Sequence, residues 1–252
     1  MDKTELGAKI YSIEGEANSQ AEIVKSLRNC PVPDDEILEN LGLFLTSKNL
    51  SRIFFMEHIY KQIVEVPGVV MEMGTRFGNN IALFSAFRSM HEPFHRHRKM
   101  IAFDTFDGFP DVTDEDGKSN LMEKGNLKVG DGYYEYLDNL MRQKEKNEPL
   151  AHIKKYELIK GDAIVELRKY LDDNPQTIIA LIYFDFDLYK PTKECLEMIV
   201  PYITKGSVIA FDELNDDDSP GETLALREAF GTRHIGLKRL ANVARSSYFI
   251  VE

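Results

Sequence analysis

Long apolar runs, positive charge and cysteine are all scarce in this chain of 252 residues, and each scarcity excludes a class of protein. No run approaches the roughly 18 apolar residues that a membrane-spanning helix needs, so we expect no transmembrane segment. The formal net charge of −11 disfavours nucleic acid or an anionic membrane as the main partner. The N-terminal stretch lacks the apolar core of a secretory signal. We therefore expect a cytoplasmic enzyme.

Several catalytic and binding motifs are missing as well. The chain has no glycine-flanked serine elbow and no Ser-His-Asp order, which disfavours acyl transfer. Neither G-x-G-x-x-G nor G-x-x-x-x-G-K-[ST] occurs, so both phosphate-binding fingerprints fail. The two cysteines, Cys30 and Cys195, lie far apart, and we expect free buried thiols rather than a disulfide.

What the chain does contain, from Val69 onward, is an alternation of strand-like and helix-like segments. Short apolar runs end in Gly or an acidic residue, as in "GVVMEMG", "KMIAFD", "YELIKGD", "IIALIYFD" and "SVIAFDE". This pattern predicts an α/β fold with a parallel sheet covered by helices on both faces. The final run "SSYFIVE" predicts an antiparallel edge strand. Residues 1–66 are predicted to form a helical extension packed on the core, and residues 67–252 the main domain.

Carboxylates and glycines accumulate where the predicted strands end. Ligands of parallel sheets bind beyond the carboxyl ends of the strands, so acidic strand ends in register indicate one site. The residues on this rim are Glu72, Gly74, Asp104, Asp162, Asp185, Asp187, Asp212 and Glu213. The long polar stretch 111–132 follows one strand end and lacks apolar anchors, so we expect a mobile lid.

The strand-turn-helix unit "VVMEMGTRFGNN" indicates the kind of ligand. Glu72 beside a glycine turn suits a ligand with a cationic end and no phosphates, such as S-adenosylmethionine; the alternative is an ordinary tight turn. Asp104 is placed to accept two hydrogen bonds from a ribose diol, which would equally suit NAD. Asp162 either contacts the adenosine or caps the next helix.

Five segments together make the chain similar to a known family. They are "VPGVVMEMGTRFGN", "FDTFDGFP", "IKGDA", "IYFDFDLYKPTKECLEMIVPYITKGSVIAFDELN" and "PGETLALREAF". The chain resembles class I methyltransferases, and specifically the macrocin O-methyltransferase family of metal-dependent sugar O-methyltransferases. The most specific feature is Asp-x-Asp-Leu-Tyr followed by the acidic pair Asp212-Glu213.

The resemblance implies a Rossmann-like, mostly parallel sheet of seven strands and an S-adenosylmethionine-dependent O-methyltransferase. The implied acceptor is a hydroxylated small molecule, a deoxysugar or a glycoside, and a homo-oligomer is compatible with it. The implied cofactor-binding residues are Glu72, Gly74, Thr75, Arg76, Asp104, Asp162, Ala163 and Asp185.

The resemblance also implies Mg²⁺ or another hard divalent cation, held by Asp185, Asp212 and Glu213, with Asp187 as general base. A bound cation lowers the pKa of a hydroxyl group, and the adjacent carboxylate accepts the released proton. The family usually has Asp-Asp at the pair, so the longer Glu213 is either a direct ligand or lies in the outer coordination shell. If the strand continues to Asp187, its side chain points the same way as that of Asp185. The absence of a Cys/His cluster favours a hard cation over zinc.

Other interpretations remain open at this point. The chain could be an NAD-dependent oxidoreductase on a similar sheet, or a noncatalytic homologue that keeps the cofactor pocket. As a separate alternative, Asp185 and Asp187 could cap the next helix or pair with Lys190 and Lys193. His58, on a predicted helix, is expected to be structural.

Overall fold

The computed structural model describes residues 14–252, and helices and strands alternate through the part predicted to form the sheet. Its α-helices are α1 (Glu14–Arg28), α2 (Ser47–Lys61), α3 (Asn79–His91), α4 (Tyr133–Lys146), α5 (Ala163–Asp173), α6 (Tyr189–Ile199) and α7 (Gly221–Ala229). Its strands are β1 (Val69–Met73), β2 (Met100–Asp104), β3 (Tyr156–Lys160), β4 (Ile179–Phe184), β5 (Ile203–Phe211) and β6 (Ser247–Ile250). Residues 1–13 of the predicted helical extension lie outside the described residues.

The strands form one sheet in the order β3-β2-β1-β4-β5-β6. All neighbouring pairs are parallel except β5 with β6, so the mostly parallel sheet and the antiparallel edge strand are confirmed. The strand order reverses between β1 and β4. In open α/β sheets, the crevice beyond such a reversal is where ligands bind.

The expected count of seven strands is wrong, because the sheet has six within residues 14–252. The segment between α7 and β6 meets the edge strand at one bridge, where Lys238 and Tyr248 exchange two backbone hydrogen bonds of 2.8 and 2.9 Å. Residues 236–239 are all exposed. A strand needs a buried face to fix its pairing register, and residues 236–239 offer none.

Both faces of the sheet are covered by helices, as predicted. Helices α2, α3 and α4 pack on one face, and α5, α6 and α7 pack on the other. Strand β4 is buried along its whole length, which explains its continuous apolar sequence. Helix α2 buries Phe55, Met56, Ile59 and Tyr60, and burial of each such side chain stabilises the fold by ~1.5–3 kcal/mol.

Within residues 14–252, no helix is both long and apolar enough to cross a membrane.

The loop between β2 and α4 is anchored, so the expectation that residues 111–132 lack apolar anchors is wrong. Met122 is only 7% exposed and packs with Phe109 and Leu188. Asp116 is buried and accepts hydrogen bonds from the backbone N–H groups of Thr113 and Tyr189, the latter at the start of α6. The loop therefore covers the carboxyl ends of the strands as a packed element.

Candidate active site

A cavity of about 450 Å³ opens at the carboxyl ends of β1 to β5, beside the reversal of strand order. Every residue predicted for the site lines this cavity except Glu72. The lining residues from the predicted set are Gly74, Thr75, Arg76, Asp104, Asp162, Ala163, Asp185, Asp187, Asp212 and Glu213. The structure thus brings together residues from five strand ends, and their individual roles remain proposals.

The glycine turn after β1 brings two strand ends unusually close together. Gly74 has φ 93°, and a Cβ there would lie 2.1 Å from the backbone oxygen of Asp185. Only glycine fits both the backbone conformation and this approach. Arg76 follows with φ 47°, and its backbone N–H donates to Oδ2 of Asp104 at 2.7 Å. The turn therefore fixes β1 against β4 and orients Asp104.

Asp104 keeps hydrogen-bonding capacity toward the cavity. Its Oδ1 accepts from the backbone N–H of Phe106 at 2.6 Å, and its Oδ2 from that of Arg76. Each carboxylate oxygen can accept two hydrogen bonds, so one position on each remains for two adjacent hydroxyl groups. This arrangement is compatible with a ribose diol.

Asp162 is the N-cap residue of α5. Its Oδ1 accepts from the backbone N–H of Ile164 at 2.8 Å, so the capping role considered for it is real. The residue also lines the cavity beside Ala163. The two roles considered for Asp162 are therefore compatible in space.

Glu72 lies beneath the turn rather than on the cavity surface. It is 1% exposed, and its Oε2 accepts from the Thr75 hydroxyl and the Ile81 backbone N–H, each at 3.1 Å. Its Oε1 is buried without a hydrogen-bond partner. Burial and the nearby charge of Asp185 raise the pKa of Glu72 well above its usual range. Its position supports the turn and the start of α3.

Beyond the glycine turn, Asp104 and Asp162, the other side of the cavity is lined by an acidic cluster of Asp185, Asp187, Asp212 and Glu213. Strand β4 ends at Phe184, and Asp187 has φ 61°, so strand alternation does not orient the two aspartates as expected. Burial raises the pKa of Asp187 well above its usual range, with a contribution from Glu213. Burial and repulsion by Asp212 raise the pKa of Asp185 to about 8. Burial and the crowding of carboxyl groups therefore disfavour full ionisation of this cluster.

Arg52 bridges this cluster, and sequence analysis missed it. Its Nη1 donates to Oδ1 of Asp212 and its Nη2 to Oδ2 of Asp185, each at 2.9 Å, and its Nε donates to the side-chain oxygen of Asn80 at 3.2 Å. A signal was present, because Arg52 falls on the same helical stripe as the buried Phe55 and Met56. An arginine on a buried stripe needs a carboxylate partner.

Glu213 is held by a second arginine. Its Oε1 forms an ion pair with Arg245, which also binds Asp216 at 2.8 Å. Its Oε2 is buried without a hydrogen-bond partner. Glu222, fully buried, accepts from the backbone N–H groups of Phe186 and Glu213 at 3.1 and 3.2 Å. Glu222 therefore ties together the loops after β4 and β5, a role that sequence analysis missed.

The acidic cluster contains the types of ligand atom that a hard divalent cation prefers. Its side chains are not arranged around a common point as a bound cation would require. Carboxylate oxygens are the ligands that such cations prefer, and the buried Oε2 of Glu213 lacks a partner. However, no group of three or more Asp, Glu, His or Cys side chains in the described part of the chain is arranged to hold a metal ion. Arg52 already bridges two of the predicted ligands.

Comparisons with known proteins agree with this architecture. No protein-family model and no curated protein matches the chain. The crystal structure of CalS11, a calicheamicin methyltransferase, is 39% identical with a TM-score of 0.93, over 99% of this chain and 98% of that chain. The apo structure of CalS11, TDP-rhamnose 3′-O-methyltransferase, is 36% identical with a TM-score of 0.85, over 98% of each chain. The O-methyltransferase NovP shares the fold at 18% identity and a TM-score of 0.62, over 93% of this chain and 98% of that chain.

The alignment with CalS11 covers nearly the whole length of both chains, so it spans the glycine turn, both halves of the cavity and the loop that covers them. It does not favour the oxidoreductase considered from the sequence. The chain is an S-adenosylmethionine-dependent O-methyltransferase and belongs to the macrocin O-methyltransferase family of class I sugar O-methyltransferases.

Proposed function

We propose that the enzyme transfers the methyl group of S-adenosylmethionine to a hydroxyl group of a deoxysugar or glycoside, with a divalent cation at the acidic cluster. The observation that carries this proposal is the shared cavity, which both the glycine turn and the acidic cluster line. S-adenosylmethionine bound at the glycine turn and an acceptor hydroxyl group bound at the acidic cluster would lie in the same cavity. The name of CalS11 supports a nucleotide-linked deoxysugar as the first acceptor to test.

The donor side is built to hold S-adenosylmethionine by fixed groups. Asp104 offers its free acceptor positions to the ribose diol, and the turn from Gly74 to Arg76 surrounds the methionine part. Asp162 and Ala163 lie on the adenine side. These groups place the methyl carbon for in-line attack, and such positioning supplies much of the rate of a bimolecular displacement.

Asp187 is the proposed general base. It lines the cavity and is 8% exposed, and burial raises the pKa of its carboxyl group. As the acceptor oxygen attacks the methyl carbon, its proton passes to the Asp187 carboxylate. The bond between methyl carbon and sulfur breaks, its electron pair stays on sulfur, and S-adenosylhomocysteine leaves.

Asp185, Asp212 and Glu213 are the residues that would hold the cation. When bound, a hard divalent cation lowers the pKa of an acceptor hydroxyl group. The three side chains would supply only part of the six oxygens that Mg²⁺ prefers, and the acceptor and water could supply the others.

The test is turnover with S-adenosylmethionine and TDP-rhamnose, in Mg²⁺ and in excess chelator. Mass spectrometry should show S-adenosylhomocysteine and a sugar nucleotide heavier by one methylene unit, in Mg²⁺ alone. Full activity in chelator would contradict the cation. Donor binding without product, for nucleotide sugars and glycosides alike, would favour a noncatalytic homologue. Calorimetric titration with NAD should give no heat of binding.

A further inference from the structure

Arg52 bridges Asp185 and Asp212, two of the residues that would hold a divalent cation. All three kinds of guanidinium nitrogen are used, since Nη1, Nη2 and Nε contact Asp212, Asp185 and Asn80 respectively. Asn80 also donates to Oδ2 of Asp185 at 3.2 Å. These hydrogen bonds therefore hold the guanidinium group in a defined orientation between the carboxylates of Asp185 and Asp212.

Oδ1 of Asp212 is saturated by its donors. It accepts from Arg52, from the Tyr183 hydroxyl at 2.6 Å and from the Ser246 hydroxyl at 3.1 Å. A carboxylate oxygen has two lone pairs, so three donors leave no position for a further ligand. A cation that binds this oxygen has to displace a donor, and Arg52 is the one that the cation would also repel.

The charge count favours such an exchange. Four carboxyl groups, those of Asp185, Asp187, Asp212 and Glu213, lie beside two guanidinium groups, those of Arg52 and Arg245, and Arg245 also binds Asp216. A double charge in place of the single charge of Arg52 would favour the ionised form of these carboxyl groups. Arg52 can leave, because its side chain is 37% exposed and extends from the first half of α2.

We infer that Arg52 is an internal counter-cation that closes the carboxylate pair and competes with the divalent cation for it. This inference rests on the cation of the proposed function. Without a divalent cation, Arg52 keeps the repelling carboxylates together, because removing one partner of a partly buried ion pair leaves uncompensated charge. With a divalent cation, the guanidinium group moves out of the pair.

The test measures Mn²⁺ binding to the metal-free full-length protein by electron paramagnetic resonance of the free ion, at fixed ionic strength. Arg52→Met removes the charge and keeps an unbranched chain, Arg52→Lys keeps the charge without the planar fork, and Arg142→Met is the control at an exposed ion pair. The Met variant should bind Mn²⁺ about tenfold more tightly than the wild type, or ~1.4 kcal/mol. The Lys variant should gain less, and the control should not change.

Equal or weaker Mn²⁺ binding by the Met variant would overturn the competition and show that Arg52 orients the ligands. Such a result would leave the cation of the proposed function intact. An absence of Mn²⁺ binding by every variant would overturn both. Donor titration checks that each variant is folded; if Arg52→Met does not fold, a Lys variant no tighter than the wild type overturns the inference.

Thermal unfolding gives a second measurement that does not depend on turnover. Arg52→Met should melt below the wild type in chelator, and MgCl₂ should raise its Tm more than that of the wild type. KCl at matched ionic strength separates site binding from general screening. An equal Tm increase in both proteins would contradict the competition.

Discussion

The cavity has two halves, the donor side around the glycine turn and the acidic side around Asp185 and Asp212. The carboxylates of the two halves have different kinds of hydrogen-bond partner. On the donor side, Asp104 and Asp162 accept hydrogen bonds from backbone N–H groups of adjoining turns. On the acidic side, Asp185 and Asp212 share the Arg52 guanidinium group, and Glu213 pairs with Arg245. One half uses neutral donors of the fixed backbone, and the other adds charged ends of long side chains to neutral side-chain donors.

This difference matches two kinds of task. Backbone donors cannot move away, so a carboxylate that they hold stays oriented toward a ligand that binds in one way. Arginine side chains have several rotatable bonds, so a carboxylate that they hold can exchange its counter-charge. The donor half is therefore suited to a constant cofactor, and the acidic half to a site whose charge changes during the reaction.

Asp187→Asn should have the largest effect on activity of the variants considered. It should change the chemistry at the acidic cluster and leave binding on the donor side unchanged. The amide cannot accept the acceptor proton, and general-base catalysis typically contributes about 10²- to 10⁴-fold. We expect the methyl-transfer rate to fall by such a factor while the Kd for S-adenosylmethionine stays constant. Single-turnover kinetics and calorimetry measure the two quantities.

Asp217→Asn is the matched control for Asp187→Asn, because Asp217 is an exposed aspartate in the loop after β5. It should keep the wild-type rate. Restoration of the wild-type rate in Asp187→Asn by excess Mg²⁺ would make Asp187 a cation ligand instead, and the base would have to be sought elsewhere.

Asp104→Ala should have the next largest effect, in the other half. Loss of a hydrogen-bonded carboxylate should weaken S-adenosylmethionine binding by roughly 1–3 kcal/mol. Asp107→Ala, at a mostly exposed aspartate nearby, is the control and should bind like the wild type.

Asp212→Asn should leave the affinity for S-adenosylmethionine unchanged but raise the Mg²⁺ concentration that activity requires. If Asp212→Asn weakened donor binding as much as Asp104→Ala does, the two halves would not be separate in function.

The same difference explains how far the sequence could predict the structure. The strand ends, the glycine turn and the cap at Asp162 are local features, and they could be identified from short segments. Arg52 could not be paired with its partners in this way, because it lies 133 positions before Asp185 and 160 before Asp212. Only packing of α2 on the sheet brings them together. The seventh strand, expected from the resemblance alone, is reduced to a single bridge at Lys238.

The smallest predicted effect concerns how α2, which carries Arg52, is attached at its other end. His58 lies on α2, and its Nε2 shares a hydrogen bond of 2.8 Å with the Tyr248 hydroxyl of β6. Burial lowers the pKa of the His58 imidazole below its ordinary value of 6.5. The unfolded chain therefore binds more protons than the folded protein near and below pH 6.5. Stability is present above this range and is lost as the pH falls through it.

His58→Gln keeps a polar group near Tyr248 but cannot be protonated. The decrease in Tm between pH 7.5 and pH 5.5, values chosen about one unit either side of the ordinary histidine pKa, should be smaller in the variant than in the wild type. Every other ionisable group is the same in the two proteins, so the difference between them isolates His58. The donor half does not contact His58, so the Kd for S-adenosylmethionine should match between wild type and variant at either pH. Equal pH dependence of Tm in the two proteins would show that protonation of His58 does not destabilise the fold, which would contradict the prediction.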